Sequence, residues 1–316
     1  MFASNGPHNQ RLNLADALLQ TDLPGMTLLR RGKNKDLYDL GDKLLMVSTD
    51  RLSAAGTILA QGVKGKGKIV NQLSSHWFRK LRGVFPNHMV SANTRRFPAS
   101  IGNHSEILEG RSMLVWKTLP LPVQCVVRGY LAGAGWRQYQ QTGEICGIKL
   151  PRGLTQSHRL PFPIFSPKMK GPPRGMGENL SFESIQQLFG NSLAEELRET
   201  SLRLFFTAWK CARERGVLIA DTKFEFGLNN GKLMLIDECL TPDNSRFWAL
   251  DSYQHGGPMP TLDKQILIDY LETLDDADNV SQLPDRLLCG IGEKYYDAYR
   301  RIVVKRAYSK LAIFNS

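Results

Sequence analysis

The segment Val217–Leu228 contains the residues whose types and spacing are best suited to chemistry. Side chains alternate between the two faces of a strand, so Asp221, Lys223 and Glu225 are predicted on one face and two phenylalanines on the other. Two carboxylates and an ammonium on one surface suit the binding of Mg²⁺ and phosphate oxygens. The alternative is an exposed hairpin whose charges only interact with water.

A turn at Asn229–Gly231 predicts that Lys232–Glu238 returns as a second strand. A three-residue loop places Asp237 opposite Lys223, on the acidic face. A two-residue loop places Asp237 opposite Phe224, on the apolar face. A magnesium site that includes Asp237 therefore favours the three-residue loop, with a left-handed glycine.

The segment Leu240–Trp248 follows the hairpin and contains a Pro-Asp-Asn-Ser run that is typical of a turn. This turn is predicted to bring Arg246 to the end of the acidic strand. An arginine there suits bidentate binding of phosphate or carboxylate. A surface salt bridge is the alternative role for a single arginine.

Two loops combine glycine with lysine. In Gly32–Tyr38 the glycine permits a close backbone approach and Lys33 can reach a phosphate, although the pattern by itself favours a plain hairpin turn. The segment Gly62–Ile69 nearly matches a phosphate-binding P-loop, but Ile69 has no hydroxyl for Mg²⁺. We reject a P-loop enzyme, although the helix N-terminus there remains able to receive an anion.

The elements that position these residues begin with a β-rich region. Short apolar runs predict strands at Leu28–Arg31, Leu44–Ser48, Ser112–Lys117 and Gln124–Val127. Between the last two, prolines at 120 and 122 are predicted to break the chain and mark a boundary between lobes. An apolar repeat at positions 69, 73, 77 and 81 predicts a helix that begins after Gly67.

The second half of the chain is predicted to be irregular first and helical later. Prolines and glycines alternate through Cys146–Ser181, which predicts a functional loop without regular structure. Leu193–Arg215 reads as a long amphipathic helix that Gly216 ends. Two further helices are predicted at Asp263–Leu274 and Glu293–Leu311.

Composition excludes several classes of protein. The 316 residues include five dispersed cysteines and six dispersed histidines, which argues against disulfides and metal clusters and indicates a reducing, cytoplasmic location. We find neither a secretory signal nor an apolar run long enough for a membrane helix. The net charge of +11 is spread along the chain and not concentrated on one element as in a nucleic-acid binder, so a solvated basic surface accounts for most of it. A small phosphorylated substrate would also favour positive charge around its site, and charge alone does not distinguish the two.

Taken in order, these segments resemble the SAICAR synthase family, which ligates aspartate to the carboxylate of a phosphoribosyl aminoimidazole with ATP. The resemblance covers roughly residues 25–270. The segments that carry it are Gly32–Tyr38, Ser48–Ala54, Gly65–Phe78, Val123–Gly135, Asp221–Gly227 and Ile236–Trp248.

The resemblance implies an α+β fold with a kinase-like antiparallel lobe at residues 1–119 and an ATP-grasp-like α/β lobe with C-terminal helices at residues 120–316. It implies an ATP-dependent ligase that forms an amide through an acyl phosphate, either a SAICAR synthase or a paralogue for a related heterocyclic nucleotide. A non-catalytic nucleotide-binding relative is the alternative. The expected partners are small molecules, and a homo-oligomer is left open.

The resemblance also implies a role for individual residues. The residues implied in catalysis are Lys33, Asp221 and Lys223. Those implied in ATP binding are Lys33, Lys35, Lys117, Gln124, Glu225 and Asp237, of which Glu225 and Asp237 would hold Mg²⁺. Those implied in substrate binding are Ser53, Arg128, Gly133, Ala134, Lys170, Ser245 and Arg246.

Departures from the family pattern cluster on the substrate side. Gly56, Pro172, Met176 and Gly177 stand where the family has three carboxylates and one histidine, whereas the lysines and arginines for phosphate remain. Gln124 and Lys35 replace a glutamate and an arginine. This distribution predicts a more positive and roomier pocket that handles the amine or the carboxylate differently, with poor activity in the family reaction.

Overall fold

The first sheet is built by residues from the N-terminal third of the chain. The structure is a computed structural model that describes residues 17–54, 57–102, 104–171, 177–274 and 282–304. Five antiparallel strands lie in the order β1-β2-β3-β7-β6. Their bounds are Thr27–Arg31 for β1, Lys35–Asp39 for β2, Lys43–Ser48 for β3, Met89–Ser91 for β6 and Ser112–Trp116 for β7.

Three of these strands confirm the sequence prediction, whereas the short strand β6 and strand β2 were missed. The buried positions of β2 are Asp36 and Tyr38, so the sequence of β2 shows no alternation of apolar residues. The Asp36 carboxylate accepts hydrogen bonds from Arg51 Nη2 and from the backbone N–H of Thr21, at 2.8 and 2.7 Å. Burial of a carboxylate at a strand position is tolerated because it is paired, and hydrophobicity alone does not show such a position.

Helix α1, Lys66–Leu81, follows a two-stranded ribbon of β4, Arg51–Ala54, and β5, Thr57–Gly62. Its predicted apolar face is confirmed, since Leu73, Trp77 and Leu81 are buried. Each side chain so buried contributes about 1.5–3 kcal/mol relative to exposure. The helix packs against the first sheet and against helix α8, Asp285–Tyr299, near the other end of the chain.

The second sheet has six strands. Its path is β11-β8-β13-β14, with β12 also paired to β8 and β15 also paired to β13. The bounds are Leu119–Tyr130 for β8, Arg159–Phe165 for β11, Lys168–Met169 for β12, Val217–Asn229 for β13, Lys232–Ile236 for β14 and Ser245–Ala249 for β15.

Two predictions about prolines were wrong. Strand β8 runs through Pro120 and Pro122, and β11 runs through Pro161 and Pro163 inside the segment predicted to be irregular. Both strands have register shifts near their prolines, opposite Glu225–Gly227 for β8 and between Arg159 and Ile164 for β11. A proline removes one hydrogen-bond donor, and a bulge lets the strand continue without it.

The hairpin β13–β14 has the two-residue loop, so the three-residue prediction was wrong. Asn229 pairs with Lys232, and Asn230 and Gly231 have φ values of 50° and 73°. Positive φ at both central residues is the geometry that Asn-Gly favours, because it matches the twist of the strands. The last pair joins Glu225 to Ile236, and the chain leaves the strand after Ile236.

The remaining elements are helices and one small ribbon. Helix α6, Asn191–Arg213, confirms the predicted long helix, and Gly216 follows it with φ 73°. The predicted helix near 263–274 is α7, Gln265–Leu271. Of the last predicted helix, α8 and a π-helical turn at Arg300–Val304 are described, and residues 305–311 lie outside the described residues. The other elements are α2, Ala99–Gly102, α3, Ser105–Leu108, α4, Gly133–Thr142, α5, Phe182–Phe189, and the ribbon of β9, Glu144–Ile145, with β10, Ile148–Lys149.

The predicted lobes at residues 1–119 and 120–316 stay a prediction. The first sheet ends at Trp116 and the second begins at Leu119, close to the predicted boundary. The C-terminal helix α8 nevertheless shares a buried apolar cluster with Leu52 and Leu59 of the ribbon. Within the described residues, helices long and apolar enough to cross a membrane are absent.

Candidate functional site

One face of the second sheet collects six of the predicted site residues. Residues directly opposite one another in antiparallel strands share a face. The pairs across β8 and β13 are Arg128 with Asp221, Val126 with Lys223, and Gln124 with Glu225. Strand β12 adds Lys168 opposite Gln124, and β15 adds Arg246 opposite Asp221. We call this set, Gln124, Arg128, Lys168, Asp221, Lys223, Glu225 and Arg246, the charged face.

The other face of β13 is apolar, as its alternation predicts. Phe224 and Phe226 are fully buried in the main core. Thr222 precedes them on the same face and is also fully buried. Ser245 pairs with Thr222, and their hydroxyl oxygens lie 2.7 Å apart. The structure therefore does not bring Ser245 to the charged face, although its neighbour Arg246 lies there.

Arg128 and Arg246 share a single carboxylate. Arg246 Nη1 lies 2.8 Å from Asp221 Oδ2, and Arg128 Nη1 lies 3.6 Å from the same oxygen. Arg246 also donates to Gln265 Oε1 at 2.8 Å, and Arg128 donates through Nε to the Ser166 hydroxyl at 3.0 Å. Two guanidinium groups with one anionic partner leave a positive surplus that suits a phosphate.

Gly133 begins α4 against this arginine pair. A Cβ atom at Gly133 would lie 2.6 Å from Arg246 Nη2, and the glycine has φ 50°. A Cβ at Gly135 would likewise lie 3.1 Å from Arg128 Cδ. The start of α4 thus fits closely around both guanidinium groups because Gly133 and Gly135 lack side chains.

Lys223 is more than a third exposed and has no carboxylate within ion-pair distance among the residues that the structure describes. Partial desolvation lowers the pKa of its ammonium to about 8, and the charge of Lys264 acts in the same direction. Arg128 and Lys168 contribute further, whereas Asp221 opposes the shift. A lysine surrounded by cations provides a site for an anion.

Two carboxylates at the end of the charged face are held by lysines. Glu225 accepts from Lys170 Nζ at 2.7 Å and from Gln124 Nε2 at 3.1 Å. Asp237 follows β14 with φ 65° and contacts Lys35 Nζ at 2.8 Å. If β14 continued in this register, Asp237 would lie opposite Phe224 on the apolar face. The chain instead turns out of the strand after Ile236, and Asp237 contacts Lys35.

Glu238 completes this lysine site and was not singled out from the sequence. Its Oε2 lies 3.1 Å from Lys35 Nζ. Burial alone would lower the pKa of Lys35, but Asp237 and Glu238 together raise it above its usual value. The pKa of Asp237 is lowered by Lys35 against the effect of burial, whereas burial raises the pKa of Glu238.

A buried ionic cluster lies beside the site and was also missed. Asp243 contacts Lys66 Nζ at 2.6 Å, and accepts from Asn34 Nδ2 at 3.1 Å and from the Tyr295 hydroxyl at 2.7 Å. We call Asn34, Lys66, Asp243 and Tyr295 the Asp243 cluster. The sequence showed Asp243 only as a turn residue, because its partners are distant along the chain.

The anion at the N-terminus of α1 comes from the protein itself. Asp50 accepts from the backbone N–H groups of Gly65 and Gly67, at 3.2 and 2.9 Å, and from Arg111 at 3.1 Å. Lys66 is buried in its pair with Asp243. The backbone N–H groups that a P-loop would offer to a phosphate are therefore bound by Asp50. This agrees with the rejection of a P-loop enzyme.

The remaining predicted residues lie at different distances from the charged face. Lys33 is exposed, and its carbonyl oxygen accepts from Arg51 Nε at 3.2 Å. Ser53 donates to Asn34 Oδ1 at 3.1 Å, next to the Asp243 cluster. Lys117 lies between β7 and β8 and contacts Asp39 at 2.7 Å on an exposed surface, at a depression of about 550 Å³ lined also by Trp116 and Asn230.

Three of the four positions that depart from the family pattern, Gly56, Pro172 and Met176, lie outside the described residues. Gly177 is described. A Cβ there would lie 1.6 Å from the carbonyl oxygen of Met169, next to a backbone hydrogen bond from Met169 N to Glu178 O of 2.8 Å. Glycine at this position permits the backbone of residues 177 and 178 to pack against β12.

Comparisons with known proteins identify the family of the chain. A family model described as SAICAR synthetase matches residues 28–283. The chain is 47% identical over 294 residues to the phosphoribosylaminoimidazole-succinocarboxamide synthase of Geotalea uraniireducens, which covers 92% of this chain and 99% of that one. It is 48% identical over 287 residues to the protein of the same name from Trichlorobacter lovleyi, with 90% and 97% covered.

The fold agrees as well. The SAICAR synthase of Saccharomyces cerevisiae, solved in complex with SAICAR, superposes with a TM-score of 0.81 at 35% identity, covering 92% of this chain and 99% of that chain. These similarities confirm the predicted α+β fold and the predicted ligase, and they do not support the non-catalytic alternative. The chain belongs to the SAICAR synthetase family of ATP-dependent ligases.

Proposed function

We propose that the protein joins an aminoimidazole ribotide carboxylate to aspartate with ATP, and that the charged face is its active site. The observation that carries the proposal is Lys223, an unpaired lysine beside two arginines that share one carboxylate. This arrangement fits a substrate with two anionic ends, a phosphate and a carboxylate. The names of the relatives describe a synthase of phosphoribosylaminoimidazole-succinocarboxamide.

The ribotide phosphate is assigned to the arginine pair. Arg128 and Arg246 present N–H donors beside the Gly133–Ala134 turn, where the backbone approaches closely. The reacting carboxylate is assigned to Lys223, two positions along β13 from Asp221. Asp221 would orient both arginines and keep their planes fixed between turnovers.

The ATP phosphates are assigned to Lys33 and Lys35, and Mg²⁺ to Glu225 and Asp237. In the described ranges no group of three or more His, Cys, Asp and Glu side chains is placed to hold a metal. Two carboxylates fit Mg²⁺, which takes few protein ligands and completes its shell with water and phosphate oxygens. When bound, the ion would neutralise charge on the phosphates.

The chemistry then follows from these positions. An oxygen of the ribotide carboxylate attacks the γ-phosphorus of ATP, the bond to ADP breaks, and an acyl phosphate forms. The amine nitrogen attacks the acyl carbon, the carbon–oxygen bond to phosphate breaks, and the nitrogen loses its proton to solvent. Lys33, Lys35 and Lys223 stabilise the transferred negative charge, which is the main contribution that a protein makes to phosphoryl transfer.

The test is an ADP-release assay with the ribotide, aspartate and Mg-ATP, together with calorimetry of Mg-ATP. Glu225→Ala and Asp237→Ala should weaken Mg-ATP binding or abolish turnover while the fold is unchanged. Arg246→Ala should raise the ribotide KM by about 10- to 100-fold, because each charge-assisted bond contributes about 1.5–3 kcal/mol. Glu199→Ala, on the exposed side of α6, is the control. Unchanged Mg-ATP affinity and activity in both carboxylate variants would refute the metal assignment.

An altered specificity from the substitutions at Gly56, Pro172, Met176 and Gly177 stays a prediction. A panel of amines and carboxylated heterocyclic nucleotides in the same assay tests it. The five cysteines are all free. Free thiols and a purine-pathway substrate support a cytoplasmic location, where thiols remain reduced.

A further inference from the structure

Two lysines near Lys223 have no role in the function proposed above. Lys168 lies on β12, opposite Gln124, and Lys264 directly precedes α7. In the described part of the chain, neither has a carboxylate within ion-pair distance. Unpaired lysines are ordinary on an open surface, but both of these are only half exposed and lie beside other cations.

The topology places the two lysines on opposite sides of Lys223. On one side of β13 the strands follow in the order β8 and β12, which brings Lys168 to the charged face. On the other side is β15, and the segment before α7 packs along its edge through a hydrogen bond from Leu262 N to Phe247 O of 2.8 Å. Lys264 therefore lies on the β15 side of Lys223. It is next to Gln265, whose side-chain oxygen accepts a hydrogen bond from Arg246.

Electrostatics independently relates these lysines to Lys223. Both Lys168 and Lys264 help to lower the pKa of Lys223, and Lys264 is the strongest of its charged neighbours. Lys264 also helps to lower the pKa of Asp243, whose carboxylate is already paired with Lys66. The positive charge of Lys264 therefore acts both on Lys223 and on Asp243.

The charge of the proposed ribotide does not neutralise this surplus. Its phosphate meets the arginine pair and its carboxylate meets Lys223, so Lys168 and Lys264 remain without an anion. Neighbouring like charges repel one another, and an anion bound between them offsets that repulsion. ATP also reaches this carboxylate, but its phosphates are assigned to Lys33, Lys35 and Mg²⁺. The second substrate must approach the same acyl carbon and has no cation assigned to it.

We propose that Lys168 and Lys264 form an anion subsite that binds the carboxylates of the amine substrate, an acidic amino acid. The proposal rests on the function proposed above. Each ammonium, on its flexible four-carbon stem, can follow one carboxylate. Held from two sides of Lys223, a dicarboxylate presents its amine to the acyl carbon, whereas an amine with one carboxylate is held from one side only.

The test compares Lys168→Gln and Lys264→Gln with Lys232→Gln, which removes an exposed lysine at the start of β14. Each of the first two should raise the KM for L-aspartate about tenfold or more, as expected for loss of a charge-assisted bond. The KM values for ribotide and ATP should stay within about twofold. The preference for L-aspartate over L-asparagine should fall in parallel, and Lys232→Gln should change none of these values.

An unchanged KM for L-aspartate in both variants overturns the proposal, and so does a larger rise in the KM for ribotide or ATP. Succinate, a dicarboxylate without the amine, separates this proposal from the function itself. If the wild-type protein shows no turnover but binds succinate in calorimetry, and both variants lose that binding, the subsite stands and the proposed reaction fails. If the wild-type protein neither reacts with aspartate nor binds succinate, the subsite is refuted.

Discussion

The Asp243 cluster and the surroundings of Lys223 both contain lysines and carboxylates, but the two regions use charge differently. The Lys66 side chain is 1% exposed and its partner Asp243 is 4% exposed, and every charge there has a partner. Lys223 is more than a third exposed, and its nearest charged neighbours are mostly cations. One region is dry and neutralised, whereas the other is open to water and keeps a positive surplus.

The difference shows which charges hold the fold together and which remain available for a ligand. A buried charge must be paired, because desolvation of a lone ion costs several kcal/mol. An unpaired lysine is tolerated only where water or a substrate can solvate it. The surplus at Lys223 therefore indicates a binding site, and the neutral Asp243 cluster indicates a structural junction between the loop of Asn34, helix α1 and helix α8.

The largest expected effect is on stability, from Asp243→Ala. This substitution leaves the Lys66 ammonium buried without a partner, so the free energy of unfolding should fall by about 3–5 kcal/mol. Urea unfolding followed by circular dichroism measures the change. Asp39→Ala, which breaks the equally short but exposed pair with Lys117, should leave the unfolding midpoint unchanged. An equal loss in the two variants would contradict the comparison.

The next effect is on turnover, from Lys223→Gln. The substitution should lower kcat by about 100- to 1,000-fold, the usual effect of losing one donor to a developing anion. Because Lys223 is exposed and unpaired, the free energy of unfolding should change by less than about 0.5 kcal/mol. Steady-state kinetics and urea unfolding on the same preparation measure both quantities. A stability loss as large as that of Asp243→Ala would show that the two regions do not differ.

A smaller effect is expected on ribotide binding, from Gly133→Ala. The new Cβ would displace the Arg246 guanidinium, which lies 2.6 Å away, and the ribotide KM should rise about tenfold. Gly143→Ala is the matched control, since Gly143 also has a positive φ, 72°, but no atom lies within 4 Å of its Cβ position. Both variants share the backbone strain, so only the difference in KM reports on Arg246. Equal KM values in the two variants would remove Arg246 from the phosphate site.

The smallest effect is a pH dependence. With a pKa of about 8, Lys223 is charged below that pH and loses its proton as the pH rises through it. The value of kcat/KM for the ribotide should therefore fall about twofold between pH 7 and 8, since it reports on the free enzyme. Lys223→Arg keeps the charge and should remove this decline. A decline of the same size in the arginine variant would assign it to another group.

Part of the site could be predicted from the sequence because short-range patterns determine it. The alternation over residues 221–226 fixes which side chains of β13 face the core, and the structure confirms both faces there. Nearer the start of the strand a register shift between Ile219 and Asp221 interrupts the alternation, so Ile219 also faces the main core. The helix at α1 and the long helix α6 follow from apolar periodicity in the same way. The Asn-Gly turn also favours the two-residue loop by itself, and the wrong three-residue prediction came from requiring Asp237 to lie within the strand.

Only the tertiary structure decided the contacts between distant segments. Nothing local shows that Lys66 is buried against Asp243, that Asp50 occupies the N-terminus of α1, or that a positive φ turns Asp237 towards Lys35. The approach of Lys168 and Lys264 to Lys223 depends on strand order and on how loops pack. Local patterns determine which face of an element is apolar, whereas the partner of a buried charge depends on how separate elements pack together.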